Sequence, residues 1–418
     1  MPVKIAIIGG SAFSTPSLIN FLKQEKFPGR LDVVLASRSQ RKLDAVTNAA
    51  KLLATSNIVI KGIEIRSDTW ERVLVGADCI LIQIRVGGYE GRRFDETFPH
   101  KYGLCGDEGL GVGGLSAGWR TWPILSEILD AIAKFSPHAF VVLLTSPLGL
   151  LMRASLAHTN LKVVGICELP WTTLLKVRSL LEKQIHDVQA DYFGINHLGW
   201  LFNIRSWSED SISVLATRIG ENSFPSGAFL RAHHCLPIRY LRLHYEQAKV
   251  LTEQMSQEVP RAEALSNLQE LAYGAYARGE LTEVMSILER RATPWYSHAV
   301  GPLLIAMTGQ PTDMPFFLST PHGFYTPFLE PDDVVETAHR WMGGQLERSP
   351  LTGTVPEHVV EQLLPLIRFE RTATEAVMSR KPSLLVEALS LHPWVHNDID
   401  LKSLANEIVV QNGALVSH

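Results

Sequence analysis

Cysteine is scarce, at four residues in 418, and the four are scattered. Cys79, Cys105, Cys167 and Cys235 form no CxxC pair and no framework spacing, which excludes a disulfide-stapled scaffold, and a chain this long needs no staples. All four are read as reduced. An excess of one charge is lacking too: 39 Lys and Arg stand against 43 Asp and Glu, a formal net charge of -4, so no global field draws in nucleic acid. Long hydrophobic runs are absent, since stretches such as 139 to 144 stop well short of the roughly 20 residues of a membrane helix. Residues 1 to 10 run directly into an apolar strand and a glycine turn with no basic leader. The expectation is a cytoplasmic protein with neither a nucleic-acid nor a membrane partner.

What is present is an ordinary globular composition, 46% hydrophobic and 20% charged, at a length that suits two or three domains and leaves room for an enzyme. The first half alternates short β-branched runs with amphipathic stretches, the pattern of βαβ units around a parallel sheet. Strands are expected at 4–8, 32–36, 59–65, 79–82, 140–144 and 163–167, with helices at 15–22, 42–53, 125–133 and 169–185. Near Gly194 to Trp200 the rhythm changes. Beyond it the chain reads as mainly helical, with amphipathic stretches at 238–255, 262–276 and 359–378 and a few candidate strands. The predicted fold is therefore α/β: a Rossmann-like doubly wound sheet over residues 1–193, and a second, mainly helical α+β domain over 194–418.

The first strand leads into Gly9-Gly10-Ser11-Ala12-Phe13-Ser14 and then a helix, the context in which backbone N–H groups and a helix start hold a pyrophosphate. The second and third glycines of a GxGxxG reading fall on Ser11 and Ser14, so the motif taken alone equally describes a small-residue turn. Gly9, Gly10, Ser11, Phe13 and Ser14 are the expected cofactor contacts. At the end of the second strand, where a carboxylate ordinarily meets the adenosine ribose diol, stands Ser37, followed by Arg38 and then Arg41. A serine and arginines suit a 2′-phosphate better than a bare diol, so NADP is weighed beside NAD. A solvated helix-start surface is the alternative for both arginines.

Further stretches, in order along the chain, are more specific. Gly9 to Pro16, Gln83-Ile84-Arg85-Val86-Gly87-Gly88 with Arg92, Asp95 and Glu96, Gly106 to Gly114 with Arg120-Thr121-Trp122-Pro123, Gly165-Ile166-Cys167 and Gly194-Ile195-Asn196-His197-Leu198 together resemble glycoside hydrolase family 4, the NAD- and metal-dependent glycosidases. Matching segments reach from Lys4 to about Trp394. The resemblance implies a fold related to lactate and malate dehydrogenases, NAD as cofactor, and a divalent cation, manganese by preference, on Cys167 and His197. Taken singly, either residue reads better as part of a core; the shared motifs reverse that. A cation has a physical purpose there, because binding the C3 carbonyl and the C2 oxygen acidifies the C2 hydrogen between them. The reaction implied is a redox-assisted elimination, outside the two-carboxylate scheme of most glycosidases: NAD takes hydride from C3, a base removes the C2 proton, the aglycone leaves C1, water adds and the hydride returns.

Leu236 to Arg242 resembles the family segment whose tyrosine is the base, which selects Tyr240, with Tyr245 in reserve. Glu168 stands where α-specific members carry an acid for the leaving oxygen, although one methylene longer. Arg92, Glu108, Ser146, Asn196 and Arg291 fall at substrate-contact positions, with Arg92 and Arg291 matched to the 6-phosphate; Arg92 could equally pair with Asp95 or Glu96. The chain departs from the family pattern at Asp107, at Ser146 in place of asparagine, at Arg291 to Ser297 and at Pro321 to Phe324, a set expected to surround the sugar. The leading reading is a homodimeric or homotetrameric glycosidase acting on a hexoside, with or without a 6-phosphate. The alternatives are an NAD(P)-dependent sugar or polyol dehydrogenase or epimerase, and a catalytically degenerate sugar sensor.

Overall fold

The computed structural model describes residues 3–184, 187–206, 209–310, 312 and 314–416. Strands β1 (Val3–Ile8), β2 (Leu31–Ser37), β3 (Ile58–Glu64), β4 (Cys79–Ile82), β5 (Phe140–Leu143) and β6 (Val163–Ile166) pair in parallel in the order 3-2-1-4-5-6. This is the doubly wound arrangement, with its topological switch beside β1. The sheet then continues: β7 (Val188–Ile195), β8 (Leu198–Ser206), β9 (Glu209–Asp210), β10 (Cys235–Pro237), β11 (Phe316–Pro321), β12 (Val334–Met342) and β13 (Gln345–Arg348) are added antiparallel, β11 joining through β6.

Period-two alternation explains the layers. Ile5 and Ile7 of β1 face one side, packed with the helices Thr15–Gln24, Gln40–Leu53 and Arg261–Arg278. Ala6 and Ile8 face the other, packed with Gly111–Phe135, Leu148–His158, Glu357–Ser379 and Leu401–Val416. Both layers draw helices from the distal half of the chain, so the parallel sheet is covered by residues more than two hundred positions away. Each such buried aliphatic side chain contributes about 1.5–3 kcal/mol. Position 193 falls inside β7, an interior strand of this one sheet, between β8 and β12.

The first-half strands stand within a few residues of expectation. The helix expected at 169–185 ends at Leu181, where Glu182 turns left-handed at φ 55°; Ile185 lies outside the described residues. The 125–133 helix is the distal part of Gly111–Phe135, which runs through Pro123. The region after 194 holds more strand than expected, because β12 buries Glu336, Thr337 and His339 and so carries no apolar alternation to read. The stretch at 238–255 is interrupted: a turn at Arg239–Leu241 precedes Arg242–Tyr245, and the backbone leaves helical geometry at Glu246 before Gln247–Met255.

Candidate active site

Gly9 and Gly10 end β1 in a turn that only glycine fits. Gly9 has φ +83°, and a Cβ there would lie 2.6 Å from the Gln83 carbonyl oxygen; one on Gly10 would lie 2.9 Å from the Ala36 nitrogen. Both N–H groups donate to the Ala36 carbonyl, at 2.9 and 3.0 Å. The N–H groups of Ser11, Phe13 and Ser14 meet no protein acceptor among the described residues and precede the helix Thr15–Gln24, which makes the turn an anion cradle. Tyrosines from the distal half hold it: Tyr273 Oη donates to Ser11 O at 2.9 Å, Tyr276 Oη to Phe13 O at 2.7 Å, and Tyr296 Oη to Gln83 Oε1 at 2.7 Å. The Ser37 hydroxyl lies 2.6 Å from that of Ser11.

From this turn a cleft of about 240 Å³ runs along the carboxyl ends of β1, β4, β5 and β6, where ligands bind in sheets of this kind. Cys167 is the first residue after β6, and Glu168 begins the helix Leu169–Leu181. Asn196 and His197 form the tight β7–β8 turn, His197 at φ +65°. Tyr240 follows β10, and its ring stacks on that of His197, centroids 4.4 Å apart and planes 12° off parallel.

The corner between Cys167 and His197 has the chemistry of a cation site. The Nδ1 of His197 is buried without a hydrogen-bond partner, and burial lowers the imidazole to about 4, so the ring is a neutral donor. Burial pushes the Cys167 thiol well up, and the Glu336 and Glu168 carboxylates add to this; a thiolate there requires a positive partner. Glu336, fully buried on β12, accepts from Asn196 Nδ2 at 2.9 Å and from Tyr192 Oη at 2.6 Å, which fixes the turn that carries His197. Among the described residues no three His, Cys, Asp or Glu side chains converge as a metal site. The Cys–His pair fits a divalent ion whose remaining positions go to oxygens from elsewhere.

The same cleft holds a cluster of arginines. Glu108 receives Arg85 Nε at 2.6 Å and Nη2 at 3.2 Å, and Arg92 Nη1 stands 3.4 Å away. Burial opposes its charge, but the two guanidiniums outweigh burial and hold the carboxyl down at about 2. Arg92 also pairs with Glu96 at 2.7 Å. Buried Arg120 anchors the segment by donating to Val86 O at 2.8 Å and to Asp95. Asp95 is therefore the partner of Arg120, and Arg92 belongs to Glu96 and Glu108. Burial raises Asp107 to about 6. It also raises Tyr240, with Asp107 adding to the shift and Arg261, Arg239 and Arg92 opposing it. Burial likewise raises Glu168. Arg239, Arg261 and Arg291 line the cleft with no carboxylate in ion-pair reach among the described residues.

The cleft brings together Phe13, Ser14, Arg92, Glu108, Ser146, Cys167, Glu168, Asn196, His197, Tyr240 and Arg291. Gly9, Gly10, Ser11, Ser37, Arg38 and Arg41 sit beyond it at the ends of β1 and β2. Tyr245 is not at the cleft: its hydroxyl binds Trp200 Nε1 at 3.2 Å and His358 Nε2 at 2.8 Å in a separate aromatic cluster. The Pro321 to Phe324 departure is also elsewhere, with His322 Nε2 accepting from Thr326 N at 2.7 Å, whereas Asp107, Ser146, Arg291, Trp295 and Tyr296 do line the cleft. Arg85 and Arg239 lay within the motifs yet were not singled out. Arg261 and Glu336 had no local sequence signal.

Two family models match in succession, that of family 4 glycosyl hydrolase over residues 4–183 and that of the family's C-terminal domain over residues 192–395. A probable 6-phospho-beta-glucosidase of Bacillus subtilis is 28% identical, covering 97% of this chain and 96% of that protein. The 6-phospho-beta-glucosidase of Thermotoga maritima is 27% identical, over 98% of each. Its solved structure with manganese, NAD+ and glucose-6-phosphate superposes with a TM-score of 0.86 at 26% identity, over 99% of both chains. Malate dehydrogenase of Plasmodium falciparum shares the fold, at a TM-score of 0.52 and 12% identity, over 90% of this chain and 99% of that one. With both halves matched and the glycine turn, the Cys–His corner and Tyr240 meeting in one cleft, this chain belongs to glycosyl hydrolase family 4.

Proposed function

We propose that the protein hydrolyses 6-phosphohexosides, with a dinucleotide on the glycine turn and Mn2+ on Cys167 and His197. The observation that carries this reading is the convergence of Cys167, the unpartnered His197 nitrogen and Tyr240 on one cleft beside the turn. The bound groups supply hydride acceptance at C3 and polarisation of the sugar oxygens. Tyr240 is the base for the C2 proton: its ring is fixed by His197, and Arg239 lies 5.3 Å from the ring centroid, where a positive charge favours the phenolate. Glu168, whose carboxyl burial raises, stands ready as the acid for the leaving oxygen. Asn196 and Glu108 line the sugar, and Ser146 gives it a shorter contact than an amide would.

The phosphate belongs on Arg291 rather than Arg92. Arg92 already serves two carboxylates. Arg291 serves none, and it is half-buried with its guanidinium 4.6 Å from the Trp295 ring centroid, so a phosphate dianion would gain a charge-assisted pair there. The relatives' names support this substrate class. Residues 1–193 act as the cofactor half and 194–418 as the half that completes the metal corner and binds substrate. Four buried free cysteines suit a reducing cytoplasm, and Phe324, 82% exposed, suits burial against a second copy in a dimer or tetramer. No helix among the described residues is long and apolar enough to cross a membrane.

A panel of α- and β-nitrophenyl hexosides, each with and without a 6-phosphate, tests the reading. Aglycone release without net NADH is expected from a 6-phosphorylated member, with solvent deuterium appearing at C2 of the product. Steady NADH accumulation would make the protein a dehydrogenase. Release without deuterium at C2 would remove Tyr240 from the chemistry.

A further inference from the structure

Ser37 ends β2 at the place where a carboxylate ordinarily binds the two ribose hydroxyls of NAD. The adjacent strand offers a replacement only in Glu64, which pairs in register with Ser37, and Glu64 is already engaged by Arg66, whose Nε lies 2.6 Å from Oε2. The segment after β3 is tied to this spot by the hydrogen bond from Ile65 N to Ser37 O, 2.8 Å. Arg66 thus offsets the charge of Glu64 through Oε2, and residues 37–41, at the end of β2 itself, contain no acid.

Donors stand there instead. Ser11 and Ser37 share one hydrogen bond between their hydroxyls, which uses one of their two O–H protons and leaves the other for an acceptor. Arg38 is exposed and has no carboxylate partner among the described residues. Arg41, in the first turn of the helix Gln40–Leu53, reaches Glu270 only at 3.7 Å, with both side chains more than half exposed. Lys42 lies 5.5 Å from the ring centroid of Tyr273, the residue that binds Ser11 O. A group with three oxygens and nearly two negative charges satisfies the free hydroxyl proton and the loosely held guanidiniums together; a neutral 2′-hydroxyl can accept the proton but brings no charge for the guanidiniums.

We propose that Ser11, Ser37, Arg38 and Arg41 form a 2′-phosphate subsite, so that the protein binds NADP+ more tightly than NAD+. The inference rests on the dinucleotide lying along the glycine turn, as the proposed function requires.

Calorimetric titration of the full-length protein with NAD+ and with NADP+ tests it without reference to turnover. The dissociation constant for NADP+ is expected to be at least about tenfold the lower, a difference of about 1.4 kcal/mol, and to weaken more steeply with added salt. Ser37→Asp should reverse the preference by placing a carboxylate beside the phosphate, and Arg38→Gln, at an exposed position, should narrow it even if Ser37→Asp fails to fold. Equal or tighter binding of NAD+ by the unaltered protein overturns this inference alone. Failure of both nucleotides to bind overturns the cofactor assignment with it.

Discussion

The two ends of the site are built on opposite principles. At the Cys167–His197 corner the polar groups are buried and oriented: Cys167 is 4% and Asn196 7% exposed, and Glu336, wholly buried, holds the turn from behind. At the Ser37 end the arginines are solvated: Arg38 is exposed, and the ion pair of Arg41 with Glu270 is long and exposed. Chemistry at a carbon needs atoms held to within a fraction of an ångström, which burial and hydrogen bonding provide. Recognition of a phosphate needs a field and a few donors, which mobile arginines provide. Substitutions at the first end should therefore cost turnover steeply, and at the second they should cost little beyond cofactor choice.

The largest effect is expected from Cys167→Ser and His197→Ala, each lowering turnover by about 10³-fold or more and lowering the manganese content measured by atomic absorption. A chelator should do the same to the unaltered protein, reversibly. Normal metal content in both variants would erase the contrast between the two ends. Tyr240→Phe should cost about 10² to 10⁴ in aglycone release, the range for a lost general base, with manganese content unchanged. Glu336→Leu removes the acceptors of both Asn196 Nδ2 and Tyr192 Oη and should cost about 10- to 100-fold in metal affinity or kcat/KM, although Glu336 touches neither metal nor sugar; an unchanged value would show that the turn holds itself.

A smaller effect probes burial through pH. Glu370 is packed against Gly149 near Asn196, and burial raises its carboxyl from 4.5 to about 8. The folded state thus binds this proton more tightly than the unfolded chain does, so the stability it contributes is fully present below pH 4.5 and is lost as pH rises through 8. Glu370→Gln should remove that loss: its melting temperature relative to the unaltered protein should climb between about pH 5 and about pH 9, and a flat difference would contradict the assignment. The smallest effect belongs to the solvated end, where Arg41→Gln should change folding stability by less than about 0.5 kcal/mol in urea melts.

Legibility in the sequence followed the range of the interactions. The strands from β1 to β6 could be read because each holds a short run rich in aliphatic and β-branched residues, and the glycine turn because its backbone geometry excludes side chains within a few residues. Arg92 was readable as a site residue and as a partner of Glu96 four residues on, but not as a partner of Glu108, which arrives on a different loop. Tyr245 has the same local context as Tyr240; only the packing of β10 against β8 sends one to His197 and the other to His358. β12 is not legible in the sequence because the polar residues it buries break the apolar alternation.

By itself the sequence determined the doubly wound sheet, the glycine turn and the Cys–His motifs, because hydrophobic periodicity and backbone conformation are set by neighbours along the chain. Tertiary structure alone decided that Glu336 steadies the turn of His197 from 140 residues away, that tyrosines of the distal half hold the cofactor turn, and that Glu108 stays ionised between two arginines. These are matters of charge and hydrogen bonding between groups stripped of water, and their strength depends on which segments the fold brings together.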